Sequence, residues 1–162
     1  YDFHSNFIEL AAQTNESMPY HVADRLLELL GTNGVPAARA KLLILGAAFK
    51  RDVEDTRHSP AIKVMELLLG KVRQIRYHDP HVPELAIDGR RFRSVALTDA
   101  ALAAADCVLI LTDHSAFDYD RVLRASRLVF DCRNAIKRRG LKKLYTLGSR
   151  LPGLSRKRPA QR

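Results

Sequence analysis

Chemistry concentrates in one run of this chain, Leu42-Leu43-Ile44-Leu45-Gly46-Ala47-Ala48-Phe49-Lys50-Arg51-Asp52, continuing to Asp55-Thr56-Arg57-His58-Ser59-Pro60. A buried-strand pattern stops at a glycine, and the next dozen residues carry four basic side chains. Lys50 and Arg57 are the best anion ligands among them, one a mobile point charge and the other a bidentate fork. A pair of solvated surface cations fits the same composition. Asp52, Glu54 and Asp55 would orient these cations or pair with them, and Phe49 could stack on a base or plug the core. Gly46 permits a tight turn or a close approach of backbones. The spacing is not the dinucleotide fingerprint, which needs three glycines opening a helix directly. At the end of a parallel strand, such a loop reads as a site for an anionic, phosphate-bearing small molecule.

A second constellation is Asp131-Cys132-Arg133-Asn134, directly after the strand-like Leu128-Val129-Phe130. Arg133 could take a phosphate or a sugar; the plainer reading is a corner fixed by Asx hydrogen bonds. Asp79-Pro80 marks a turn more readily than a catalytic carboxylate. His78, His81 and His114 are joined by no carboxylate or cysteine at ligand spacing, so no metal site is expected. Cys107 and Cys132 lie in apolar runs and read as small buried thiols. No Ser-His-Asp or Cys-His set assembles, and no catalytic residue is expected within this chain.

These residues need a scaffold, and the apolar periodicity supplies one. Residues 4–30 carry helical spacing, with Pro19 predicting either a kink or a second helix capped by Ser17. Gly31 to Pro36 reads as a stop and linker. Such a helix has little partner surface within the chain and is expected to pack on another domain or subunit. Beyond it, strands at 41–45, 72–77, 106–112, 127–130 and 142–147 alternate with helices at 61–69, 98–105 and 117–125. Ser59 and Thr98 are the expected caps, with Pro60 near a first helical position. The pattern predicts an α/β, Rossmann-like, three-layer domain with a mostly parallel sheet, preceded by an amphipathic helix. Organisation is expected as 1–35 (helix and linker), 36–150 (the α/β domain) and 151–162 (a basic tail).

The 162 residues, 46% apolar and 28% charged, have globular composition and suffice for one domain. The net charge of +9 is uneven: residues 119–162 hold fourteen Lys or Arg against two Asp. Such a field attracts polyanions, yet no aromatic residues interleave the basic runs at 137–143 and 150–162 to stack on bases. Nucleic acid is therefore not the expected partner. No apolar stretch is long enough for a membrane span, and a cytoplasmic location is the expectation.

Taken together, these segments resemble the carboxyl-terminal part of the UDP-glucose/GDP-mannose dehydrogenase family, especially its UDP-N-acetyl-hexosamine 6-dehydrogenase branch. The likeness rests on Phe7-Ile8-Glu9-Leu10-Ala11 with Asn15 and Ser17-Met18-Pro19, and on Leu45 to Asp52 with Asp55-Thr56-Arg57 and Ser59-Pro60-Ala61. It continues through Tyr77-His78-Asp79-Pro80-His81-Val82, Thr112-Asp113-His114 with Phe117, and Asp131 to Asn134. Order and spacing hold over about residues 1–135. The resemblance implies that Phe49 and Lys50 line a nucleotide-sugar cleft. It implies further that Arg57 lies at the seam where NAD approaches, and that Arg133 lies near that junction. It also implies a parent homodimer oxidising a UDP-sugar at C6, with the NAD fingerprint and the cysteine nucleophile upstream of Tyr1. This piece would then bind part of the substrate and be inactive alone; a non-catalytic remnant or dimerisation module is the alternative. Where the family commonly has an arginine before the Phe-Ile-Glu run, this chain has Asn6.

Overall fold

The structure is a computed structural model describing residues 6–138 and 140–151, with side chains described from Ile8 onward. The expected basic tail beyond Leu151, and any role of the Asn6 side chain, lie outside the described residues.

Helix α1 runs unbroken from Asn6 to Thr32, so Pro19 neither ends it nor starts a second helix. Ser17 is not a cap: its hydroxyl donates back to the Thr14 carbonyl at 2.8 Å. Pro19 itself is buried, which offsets the missing amide by packing. Residues 8–17 of α1 are all exposed. From Val22 onward the helix does find a partner within the chain: Val22, Ala23, Leu26, Leu29 and Leu30 join the main core. The expectation that it lacks a partner surface here is corrected for that second half.

A short 3-10 turn at Ala37–Arg39 leads into β1 (Lys41–Leu45), followed by α2 (Pro60–Leu68) and β2 (Gln74–His78). Ser59 caps α2 by accepting the Ala61 amide, with Pro60 at the first position as its sequence predicts. A hairpin of β3 (Glu84–Ile87) and β4 (Arg90–Arg93) comes next, then α3 (Asp99–Ala104), capped by Thr98. The chain closes with β5 (Cys107–Ile110), α4 (Tyr119–Ala125), β6 (Val129–Asp131) and β7 (Leu144–Thr146). The hairpin was not expected. Its Arg-Arg-Phe-Arg strand shows little apolar alternation, and only Leu85, Ile87 and Phe92 pack inward, against the core.

The main sheet has five strands in the order β2-β1-β5-β6-β7, all parallel. Alternation along its strands divides the core in two. Leu42, Ile44, Tyr77, Leu109 and Phe130 face α1 and α2. Leu43, Leu45, Val108, Ile110 and Val129 face α3 and α4. Burial on both faces explains the near-continuous apolar strands and gives the three-layer, Rossmann-like α/β architecture.

Candidate functional site

Parallel strands bring the loops after β1, β2, β5 and β6 to one edge, and the order reverses direction between β1 and β5. In open sheets that reversal is where a crevice opens. Here the two loops lock together instead. Gly46 has φ 83°, and a Cβ placed on it would lie 2.3 Å from the Thr112 carbonyl oxygen. The Thr112 hydroxyl donates to the Ala48 carbonyl at 2.7 Å. Glycine is required at 46 by close backbone approach, one of the two uses its sequence suggested.

Beneath this contact lies Asp79, 3% exposed. One carboxylate oxygen accepts the amides of Ala47 and Ala48 at 2.7 and 3.0 Å and faces His114 Nε2 at 2.9 Å. The other accepts the amides of His81 and Val82 at 2.8 and 3.1 Å. Burial pushes this carboxyl up, but the amides of Ala47, His81 and Ala48 outweigh it and hold Asp79 below the ordinary carboxylate value. The residue is a turn former, as Asp79-Pro80 suggests, and also the anchor of three loops. Its own turn is further fixed by the buried Tyr77 hydroxyl, which donates to the Val82 carbonyl at 3.0 Å.

Around this base stand the candidate ligands. Phe49 is 43% exposed, and the Lys50 ammonium lies 5.5 Å from its ring centroid. The Phe49 amide donates to the Asp55 carbonyl at 2.7 Å, closing a compact loop over 49–55. Arg57 grips the Asp55 carboxylate through two nitrogens at 3.0 and 2.9 Å, which pulls Asp55 down to about 2. Arg57 also lines a groove of about 390 Å³ with His81, Val82 and Pro83. Arg133, from the loop after β6, reaches Asp113 at 3.3 Å, and Arg51 approaches the same carboxylate at 3.9 Å. Arg51 and Arg133 therefore converge on Asp113, whereas Lys50 and Arg57 keep their own sequence neighbours. Among the described residues, no hydrogen bond or ion pair joins Lys50, Arg57 and Arg133 to a shared partner. The corner at Arg133 is built as the plainer reading has it: Asp131 accepts the amides of Arg133 and Ile136 at 3.0 and 2.8 Å.

Asp52 joins His81 and His114, their ligand atoms all within 4.8 Å of one another. A carboxylate thus does meet two of the three histidines, which linear spacing concealed. The third, His78, turns away with Nδ1 2.7 Å from the Val95 carbonyl. His114 Nδ1 accepts the Asp52 amide at 2.9 Å, so its lone pair is spent, which leaves His81 as the imidazole of the group with a lone pair to offer a cation. Cys107 and Cys132 are free thiols, and burial pushes Cys107 up to about 12 and Cys132 up as well. The dinucleotide mode of binding does not fit this edge: a long loop separates Gly46 from α2, and Thr112 fills the space beside the glycine.

A parallel sheet covered by helices on both faces, with its loops gathered at the carboxyl ends of the strands, defines a Rossmann-like α/β domain. The UDP binding domain of the UDP-glucose/GDP-mannose dehydrogenase family matches residues 43–138, and the chain belongs to that family. It is 32% identical over 135 residues to a UDP-N-acetyl-D-mannosamine dehydrogenase of Pyrococcus horikoshii, covering 80% of this chain and 30% of that one. A Ralstonia nicotianae NDP-N-acetyl-D-galactosaminuronic acid dehydrogenase is 31% identical over 138 residues, covering 80% and 30%. The solved Pyrococcus horikoshii UDP-D-ManNAc dehydrogenase superposes with a TM-score of 0.73 at 28% identity, covering 91% of this chain and 35% of that one. This chain thus spans about a third of the length of the relatives it matches. No helix among the described residues is long and apolar enough to cross a membrane.

Proposed function

We propose that this chain is the nucleotide-sugar-binding part of an NAD-dependent dehydrogenase that oxidises the C6 hydroxyl of a UDP-N-acetyl-hexosamine to the uronate. The observation that carries the reading is the family match over 43–138, which contains Phe49, Lys50, Arg57 and Arg133. All four emerge from the carboxyl ends of β1 and β6, the strands flanking β5. In this reading Lys50 neutralises pyrophosphate charge, Phe49 covers the nucleotide sugar and Arg133 supplies a second cation to it. Arg57, exposed and held in one orientation by Asp55, faces cofactor carried by another part of the protein. NAD, when bound there, accepts the hydride. The chain's own work is to bind and orient. Its raised cysteine thiols support assigning the nucleophile elsewhere.

The test is calorimetry of the chain with UDP-N-acetyl-D-mannosamine. Weak binding is expected, and Lys50→Ala should weaken it about tenfold or more, the value of a charge-assisted contact. No heat from the folded chain, or equal affinity in the two proteins, refutes the reading. A second reading, a pairing module without nucleotide-sugar binding, is favoured by exposed Ile8 and Leu10 on α1, 68% and 62% exposed. Sedimentation showing concentration-dependent dimers in a chain silent to the sugar nucleotide would select it. Homodimerisation of the parent through this helix belongs to either reading.

A further inference from the structure

His114 has no exposed surface, yet both of its ring nitrogens serve loops that leave other strands. A backbone amide can only donate, so Nδ1 carries the lone pair toward Asp52. The proton then sits on Nε2 and is donated to the Asp79 carboxylate. One imidazole thereby ties the loop after β1 to the loop after β2, from a third loop after β5.

Its grip on Asp52 matters because Asp52 stands in the left-handed region, at φ 58°. Aspartate visits that region at some cost and needs surroundings that hold it there. Two contacts do so. The Asp52 amide goes to His114 Nδ1, and its carboxylate accepts the Ser115 amide at 2.8 Å. Lys50 lies two residues before this fixed point, inside the loop that the Phe49–Asp55 bond closes. The loop is therefore tethered within itself and on the His114-Ser115 segment, with a looser hold where Arg51 approaches Asp113 at 3.9 Å.

We infer that His114 is a positioning residue for the ligand loop. Its Nδ1 bond to Asp52 orders the tip of the loop and so presents Phe49 and Lys50. Its Nε2 bond to Asp79 serves the fold. The inference rests on the reading of Lys50 as a ligand for the nucleotide sugar, and it assigns the two nitrogens different duties.

Those duties can be separated. Asparagine places an acceptor near the position of Nδ1, and glutamine places a donor near that of Nε2. His114→Asn thus keeps a partner for the Asp52 amide and gives up Asp79, whereas His114→Gln does the reverse. The wild-type chain, both variants and Lys50→Ala are titrated with UDP-N-acetyl-D-mannosamine by calorimetry. Urea unfolding and amide hydrogen exchange are measured on the same samples. His114→Gln should lose about fivefold in affinity, the worth of one hydrogen bond. Its Asp52 amide should exchange faster than in His114→Asn. His114→Asn should be the less stable variant and the tighter binder, so the affinity order reverses the stability order. A purely structural histidine makes the two orders agree. Agreement, or unchanged affinity in both variants while Lys50→Ala still weakens binding, overturns the inference and leaves the proposed function standing. A folded wild-type chain that ignores the sugar nucleotide overturns the proposed function, and the presentation role falls with it.

Discussion

Replacing Asp79 by asparagine tests whether a single buried carboxylate organises the functional edge. Asparagine keeps one acceptor oxygen where aspartate has two. Its better orientation sets that oxygen toward Ala47, Ala48 and His114 and turns the amide nitrogen toward the amides of His81 and Val82. Donors then face donors, and two backbone amides lose their acceptor. Each loss costs about 1–3 kcal/mol, so the substitution should cost about 3 kcal/mol in all. For a chain of this length that is a fall in Tm of about 6–12 °C, read by circular dichroism and checked by urea unfolding at neutral pH. A fall under about 3 °C refutes the anchoring argument. Acid supplies an independent arm. Asp79 is held below its ordinary value of 3.8, so its contribution is present above that pH and lost as pH falls through the lower folded value. The gap between wild type and Asp79→Asn should therefore narrow below about pH 4. A gap that stays constant into strong acid contradicts the account.

Gly46→Ala adds a Cβ 2.3 Å from the Thr112 carbonyl at a positive φ. Backbone strain and overpacking together should cost about 2–5 kcal/mol, and an unchanged urea midpoint would dispose of the close-approach argument. The two halves of α1 should respond differently to substitution. Leu26→Ala, at a fully buried position, should cost about 2–5 kcal/mol, whereas Leu10→Glu on the exposed half should stay within about 0.5 kcal/mol in dilute protein. Equal effects in chemical denaturation would mean that the first half is packed after all. Cys107, buried with its thiol pushed up to about 12, should resist a thiol-specific reagent until urea unfolds the chain, and rapid labelling of the native protein would contradict its burial.

The centre of the sheet was legible because β1, β5 and β6 are buried on both faces and appear as unbroken apolar runs, ended by Gly46, Thr112 and Asp131, whereas β2 at the border only alternates. β1 falls at Lys41–Leu45 as the pattern predicts, and Ser59 and Thr98 cap the helices assigned to them. The hairpin escaped because its strands are half-exposed and arginine-rich, although Asp88-Gly89, both at positive φ in the two-residue turn, was a local signal for it. Of the two readings of Pro19, the start of a second helix failed: the helix continues through the buried proline. At the site, Gly46 and Asp131 could be read from strand-end chemistry. The Asp79 turn could be read too, but not its hold on Ala47 and Ala48 or the place of His114, because those partners lie more than thirty positions away and spacing along a chain carries no record of such contacts. The residues Thr112-Asp113-His114 did stand out as a group, which was the one available hint.

Neither margin of the sheet offers much for a neighbour to pair with. β7 contributes three residues, and the far end of β2 is met by the segment after the hairpin, where the Val95 amide donates to Tyr77 and Ser94 bridges beside it. The open end of β2 presents Gln74 and Arg76, both exposed, to the water. Growth of the sheet across copies is blocked by brevity at one border and by a charged, partly roofed strand at the other. Among the described residues the two most exposed large apolar side chains, Ile8 and Leu10, sit on the first turns of α1, which leaves helix rather than strand as the apolar contact offered to a second copy.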